Sequence, residues 1–137
     1  MKKFVTPLIL WYLRKAANLQ LQKIKPLVIG VAGSSGKSSL TSLLYEIIHD
    51  YTSVKSSSGK NSETGIPLHI LGISMRDVSL FSWTEVFFLV PWKLLSQWKK
   101  YSIYIAEMGI DSPKEPRNMS YLLKIVQPTI GIVTNVS

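Results

Sequence analysis

Apolar positions divide this chain into runs of two kinds. Leu27 to Val31 is short and apolar throughout, with no polar alternation. That is the pattern of a central parallel strand buried on both faces. Thr129 to Val136 reads as another buried strand, and Ser102 to Met108 as a β-rich run ending in Glu107. Tyr51 to Lys55 is a fourth, shorter strand candidate. Between them, apolar residues recur at helical spacing. Leu40, Leu43, Leu44, Ile47 and Ile48 predict a helix with an apolar stripe laid on a sheet. Met119, Leu122, Leu123 and Val126 predict one over Pro113 to Val126, broken by Pro128. Before the first strand, Pro7 to Gln22 predicts a helix with Leu8, Trp11, Tyr12, Lys15, Leu19 and Gln22 on one broad side. Thr84-Glu85 opens a further helix candidate through Val90, which Pro91 should kink or divide. The order is helix, strand, helix, strand, helical insertion, strand, helix, strand. It predicts an α/β domain with a mostly parallel sheet of about four strands, flanking helices and right-handed crossovers. Without further strands, such a sheet leaves an edge exposed, with low solubility or a need for a partner as the expected cost.

The turn between the first strand and the second helix is Gly30-Val31-Ala32-Gly33-Ser34-Ser35-Gly36-Lys37-Ser38-Ser39. Strand, glycine-rich turn, Gly-Lys-Ser and helix is the order of a phosphate-binding loop. Glycines let successive backbone N–H groups point at one anion, and the helix N-terminus adds partial positive charge. Lys37 would reach the terminal phosphates, and the Ser38 hydroxyl would sit on Mg2+. The strict pattern wants glycine where Val31 stands, so this is a variant, Gly-x-x-Gly-x-x-Gly-Lys-Ser-Ser. The plainer alternative is a glycine-rich strand-to-helix turn with an incidental lysine.

Charge extends the picture. The 137 residues carry net charge +8, and seven basic residues precede the first acidic one, Glu46. Such an asymmetry suits a nucleotide, an anionic membrane surface or nucleic acid. No basic–aromatic interleaving of the RNA-binding kind is present, so nucleic acid is not an expected partner. Hydrophobic content of 46% supports a core. The absence of cysteine excludes disulfides and thiolate metal sites and is compatible with the cytoplasm. Met1-Lys2-Lys3 and the apolar run after it resemble the start of a signal peptide. No small-residue cleavage site follows, Arg14-Lys15 interrupts the run, and it is too short to span a bilayer. Residues 1–25 therefore read as a basic amphipathic helix, packed on the sheet or docked at an anionic membrane surface. Residues 74–100, rich in Trp and Phe and ending in Lys99-Lys100, read as a packed insertion or as an exposed surface for a partner or membrane. His49 reads as a capping or surface residue.

Glu107 ends a strand, and in open parallel sheets the carboxyl ends of strands line the ligand crevice. It is a candidate second magnesium-organising residue; the alternative is an ordinary strand-end carboxylate. Ser56 to Pro67 is a polar loop whose composition alone says no more than that.

Taken together, Pro26 to Ser137 resembles the central ATP-binding domain of the Mur ligase family. Within that family it is most like the branch that adds D-alanyl-D-alanine to the peptidoglycan precursor. Three motifs carry the resemblance: Gly30 to Ser39, Asn61-Ser-Glu-Thr-Gly-Ile-Pro67, and Glu107-Met-Gly109 followed by Ile130-Gly-Ile-Val-Thr-Asn135. It implies an ATP-dependent amide ligase that activates a carboxylate as an acyl phosphate for attack by an amine. It assigns Gly33, Ser34, Ser35, Gly36, Lys37, Ser38 and Ser39 to the ATP phosphates. Lys37 and Glu107 take catalytic roles, Ser38 and Glu107 hold Mg2+, and Asn61, Glu63, Thr134 and Asn135 lie on the substrate side. The implied partners are ATP, a UDP-linked muropeptide and D-alanyl-D-alanine. The family also has a domain that grips the nucleotide sugar. Past the Thr-Asn strand it has a metal-binding histidine, a modified lysine and a C-terminal domain. The 29 residues before Gly30 and the end at Ser137 therefore suggest a truncated ligase, a fragmentary gene product, or one piece of a split protein. This chain alone is then not expected to ligate, as an assay of acceptor-dependent ADP formation would test. The alternatives are another phosphate-loop enzyme, such as a folate glutamyl ligase or small kinase, and a non-catalytic nucleotide- or membrane-binding module.

Overall fold

The computed structural model describes residues 2–77, 79–110, 113–116 and 118–136. The elements follow in the order α1 (Lys2–Ile24), β1 (Leu27–Ala32), α2 (Lys37–Ile48), β2 (Val54–Ser56), α3 (Gly65–Leu71), α4 (Leu80–Ser96), β3 (Ile103–Glu107), α5 (Met119–Val126) and β4 (Ile130–Val133). The four strands form one sheet in the order β2-β3-β1-β4, and every pair is parallel. The α/β class and the parallel sheet are therefore as the hydrophobic pattern predicts.

Alternation along the inner strands divides the core in two. Val28, Tyr104, Ala106 and Met108 face α1, α3 and α5, where Leu10, Ala17, Ile66, Ile70, Leu122 and Ile125 close on them. Ile29, Val31 and Ile105 point the other way, onto Leu40, Leu44 and Ile48 of α2. β1 and β3 sit between neighbours, which is why their runs are continuously apolar. A third cluster joins α1, α3 and α4 through Leu13, Ala16, Leu71, Val86 and Val90.

Several local expectations need correction. The side of α1 taken as its apolar face is its outer side: Leu8, Trp11, Lys15, Leu19 and Gln22 are exposed. Leu10, Leu13, Ala16, Ala17, Gln20 and Ile24 are buried instead. The two alanines let neighbouring helices approach closely, a signal that counting large apolar residues overlooks. In α2 only part of the expected stripe reaches the sheet; Leu43 and Ile47 are exposed. The β4 strand is an edge, hydrogen-bonded to β1 alone, and Ile130 and Val133 stand in the open. The last helix begins at Met119 and not at Pro113, because the Asn118 side chain accepts from the Tyr121 N–H at 3.0 Å and caps it there. Arg117, within the predicted helix, lies outside the described residues.

The α4 helix starts at Leu80, four residues before the expected Thr84. Ser79 caps it by accepting from Ser82 N at 3.2 Å, and the Asp77 carboxylate accepts from both serine hydroxyls. Pro91 does not divide it; the helix runs through to Ser96. A proline in that place leaves the carbonyl four residues back without its N–H partner. That carbonyl belongs to Phe87, and the Tyr12 hydroxyl donates to it at 3.0 Å from α1. The cost of Pro91 is met by a neighbouring helix.

Candidate functional site

Strand register gathers the functional residues. Val31 pairs with Glu107 and Ala32 with Val133, so β1, β3 and β4 end level with one another. The loops after them, and the loop after β2, all leave the sheet at that carboxyl edge.

The glycine-rich turn occupies the centre. Gly33 has φ +138° and Gly36 φ +81°, conformations that L side chains seldom adopt. A Cβ on Gly33 would also run into Thr134 Oγ1, so the turn needs glycine there for space as well. Gly36 is the N-cap of α2 and supplies no side-chain bond to the first-turn N–H groups. Those groups lie at the positive end of a 12-residue helix. The Lys37 ammonium folds back over the turn and donates to Gly33 O at 2.8 Å. Asn135, at the end of β4, braces the other limb. Its Oδ1 accepts from Ser34 N at 3.1 Å and Ser35 N at 3.0 Å, and its Nδ2 donates to Ser35 Oγ at 2.9 Å. Thr134 donates to Ser35 O at 2.6 Å. Ser39 is exposed in the first turn of α2.

Beside the turn sits Glu107, 1% exposed. Ser38 Oγ donates to its Oε1 at 2.8 Å, Asn61 Nδ2 to the same oxygen at 3.2 Å, and Gly59 N to Oε2 at 3.3 Å. Glu107 N in turn donates to Ser57 Oγ at 2.9 Å. Every one of these donors is neutral, and no salt bridge reaches Glu107 among the described residues. A buried carboxylate without a countercharge is costly. A hydroxyl and a carboxylate side by side are hard oxygen donors of the kind Mg2+ takes, together with water and phosphate oxygens. The donor set therefore fits the implied ion. Among the described residues no group of three or more His, Cys, Asp and Glu side chains could hold a metal by itself.

Thus Gly33, Ser34, Ser35, Gly36, Lys37, Ser38, Glu107, Asn61, Thr134 and Asn135 come together at one edge. Glu63 shares the loop of Asn61, and its charge also reaches Tyr121 of α5. There burial raises the phenol's pKa most, Arg14 pulls it down, and Glu115 and then Glu63 add smaller upward pushes. Ser57 and Gly59 were missed by sequence reasoning. Ser57 is fully buried and Gly59 has φ +80°; their only sequence signal was the polar loop itself. Gly109 closes the Glu107-Met-Gly motif. It lets the chain pass against Asn61, whose carbonyl accepts from Gly109 N at 2.9 Å. Deeper in, His69 Nδ1 lies 2.9 Å from the Tyr104 hydroxyl. Burial first, then Lys55 and Lys60, push the imidazole down to about 4.

No family model matches the chain. Among solved structures it is similar to the MurF ligase of Thermotoga maritima, crystallised in complex with ADP, with 26% identity and a TM-score of 0.66. The likeness covers 92% of this chain and 23% of that one, so the chain spans about a quarter of that ligase's length. The resemblance read from the three motifs holds: the fold is that of a MurF-like Mur ligase domain.

Proposed function

We propose that this MurF-like domain is the ATP-binding part of an ATP-dependent amide ligase. The observation that carries the reading is the contact of Ser38, from the glycine-rich turn, with the buried Glu107 at the end of the adjacent strand. A turn that only joined strand to helix would have no need to bury a carboxylate, held by neutral donors and reached by no salt bridge among the described residues, against its helix N-terminus. The likeness to a ligase crystallised with ADP supports the same assignment.

On this reading the turn from Gly33 to Ser39 holds the phosphates, with the first-turn N–H groups of α2 facing them and the Ser34 and Ser35 N–H groups exchanging Asn135 Oδ1 for phosphate oxygens. The Lys37 ammonium leaves Gly33 O and turns onto the terminal phosphate. Ser38 and Glu107 hold Mg2+, which when bound with ATP offsets phosphate charge. Asn61 and Gly59 keep the Glu107 carboxylate aimed. Phosphoryl transfer needs alignment and charge neutralisation more than covalent help from the protein. The terminal phosphoryl passes to a substrate carboxylate oxygen, leaving ADP and an acyl phosphate. An amine then attacks the acyl carbon, loses a proton, and phosphate departs. The substrates proposed for the ligase are a UDP-linked muropeptide and D-alanyl-D-alanine, in peptidoglycan synthesis in the cytoplasm, with Asn61 and Glu63 on their side of the crevice and Thr134 and Asn135 holding the turn beside them.

Calorimetry of ADP with and without Mg2+ on the wild type and Glu107→Gln tests this. The neutral amide keeps the shape and removes the charge. Mg2+ should tighten ADP binding to the wild type by on the order of tenfold or more, and should do little for the variant. An equal effect of Mg2+ on both would remove Glu107 from the metal site.

A further inference from the structure

The α4 helix is apolar on both sides. Its inner side buries Ser82, Val86 and Val90. Its outer side carries Phe81, Phe88, Trp92 and Leu95, each at least 65% exposed. These fall seven, four and three residues apart, one stripe along a helix. The stripe continues onto α1. Phe87 stacks on Tyr12, with ring centroids 5.2 Å apart, and beyond that seam Leu8 and Leu19 are exposed too. So broad an apolar surface marks an interaction site.

Its surroundings say what it meets. The outer side of α4 holds one acidic residue, Glu85, whereas Lys15 sits on the outer stripe of α1 and exposed Lys99 and Lys100 follow α4. The Lys23 ammonium lies 4.4 Å from the Trp98 ring centroid and donates to Leu94 O. Next to Trp98, Lys99 and Lys100 join Lys55 in lining a cavity of about 620 Å3. A second copy of this chain, net charge +8, would bring like charge to that rim. No described helix is long and apolar enough to cross a membrane.

We propose that the outer face of α1 and α4 docks on an anionic lipid surface. Phe81, Phe88, Trp92 and Leu95 enter the interfacial layer, while Lys15, Lys99 and Lys100, all exposed, take headgroup phosphates. Tryptophan and phenylalanine beside lysine is the composition of helices that lie in a bilayer interface. This site is separate from the nucleotide crevice and does not depend on it.

Sedimentation of the full chain with phosphatidylcholine vesicles, with and without phosphatidylglycerol, tests the proposal. Binding should require the anionic lipid and weaken with salt. It should fall at least about tenfold both in Lys99→Glu/Lys100→Glu, from lost attraction, and in Phe88→Asp/Trp92→Asp, from lost apolar insertion. All four positions are exposed, so both variants should keep the wild-type circular dichroism. Should either fail to fold, quenching of wild-type tryptophan emission by brominated acyl chains reads the same insertion without a substitution. Three results would overturn the proposal. One is a folded wild type that ignores anionic vesicles. Another is binding to neutral and anionic vesicles alike that charge reversal leaves unchanged. The third is a concentration-dependent dimer, broken by Phe88→Asp/Trp92→Asp, in a chain that binds no vesicle.

Discussion

The carboxyl edge of the sheet and the outer face of α4 are opposites. At the edge, polar atoms are spent on one another: Asn135 on Ser34 and Ser35, Thr134 on Ser35, and Ser38, Asn61 and Gly59 on Glu107. On the outer face, Phe81, Phe88, Trp92 and Leu95 stand mostly open to solvent, with Phe88 set edge-on to Phe87. At the edge geometry is over-determined, so small changes should be felt. On the face they should leave the fold untouched and show only when a partner is present. The contrast separates residues that build a site from residues that offer one.

The largest expected effect at the edge is Gly33→Ala. It adds a Cβ against Thr134 Oγ1 at a backbone angle that alanine avoids. Roughly 1–3 kcal/mol of stability should be lost, read by urea unfolding. Gly36→Ala should cost about 1 kcal/mol, because the left-handed strain remains but nothing lies within 4 Å of the new methyl. Equal losses for the two would mean that Thr134 does not press on the turn.

Legibility follows the same division. The turn was legible because its residue types are tied to a fixed strand–loop–helix order, and Glu107 because it ends a strand; Thr134 and Asn135 were named only by the family resemblance, on the substrate side, and their bonds to Ser34 and Ser35 had no signal of their own. The parallel sheet was legible because β1 and β3 are buried on both sides. The buried side of α1 was not, since Ala16 and Ala17 carry it and Leu8, Trp11 and Leu19 point outward. The passage of α4 through Pro91 was not legible either, because the Tyr12 hydroxyl that satisfies Phe87 O comes from 75 residues away. Ser57 and Gly59 escaped notice because a buried serine and a left-handed glycine look like any polar loop until Glu107 stands beside them.

A subtler effect lies under the edge. His69 has its folded pKa pushed down to about 4 from an ordinary 6.5. On acidification the unfolded chain therefore takes the proton first. Stability should be unaffected by this group above about pH 6.5, fall as pH drops toward about 4, and level off below. His69→Gln should flatten that slope, and imidazole NMR of the folded protein should show titration near 4. A group titrating near 6.5 would mean that the pair with Tyr104 is solvated. The smallest effect belongs to the outer face. Phe88→Asp should change unfolding stability by no more than about 0.5 kcal/mol, since the ring is 69% exposed. A loss of several times that size would mean the ring is packed, and the contrast between the two regions would fail.

The central claim is that the glycine-rich turn holds nucleotide phosphates, and calorimetric titration of ATP in Mg2+ into wild type and Lys37→Ala tests it most directly. The account predicts saturable binding by the wild type, weakened on the order of 10- to 100-fold in Lys37→Ala by loss of a charge-assisted hydrogen bond. Binding of equal strength in a folded Lys37→Ala variant, or none by the folded wild type, would contradict it.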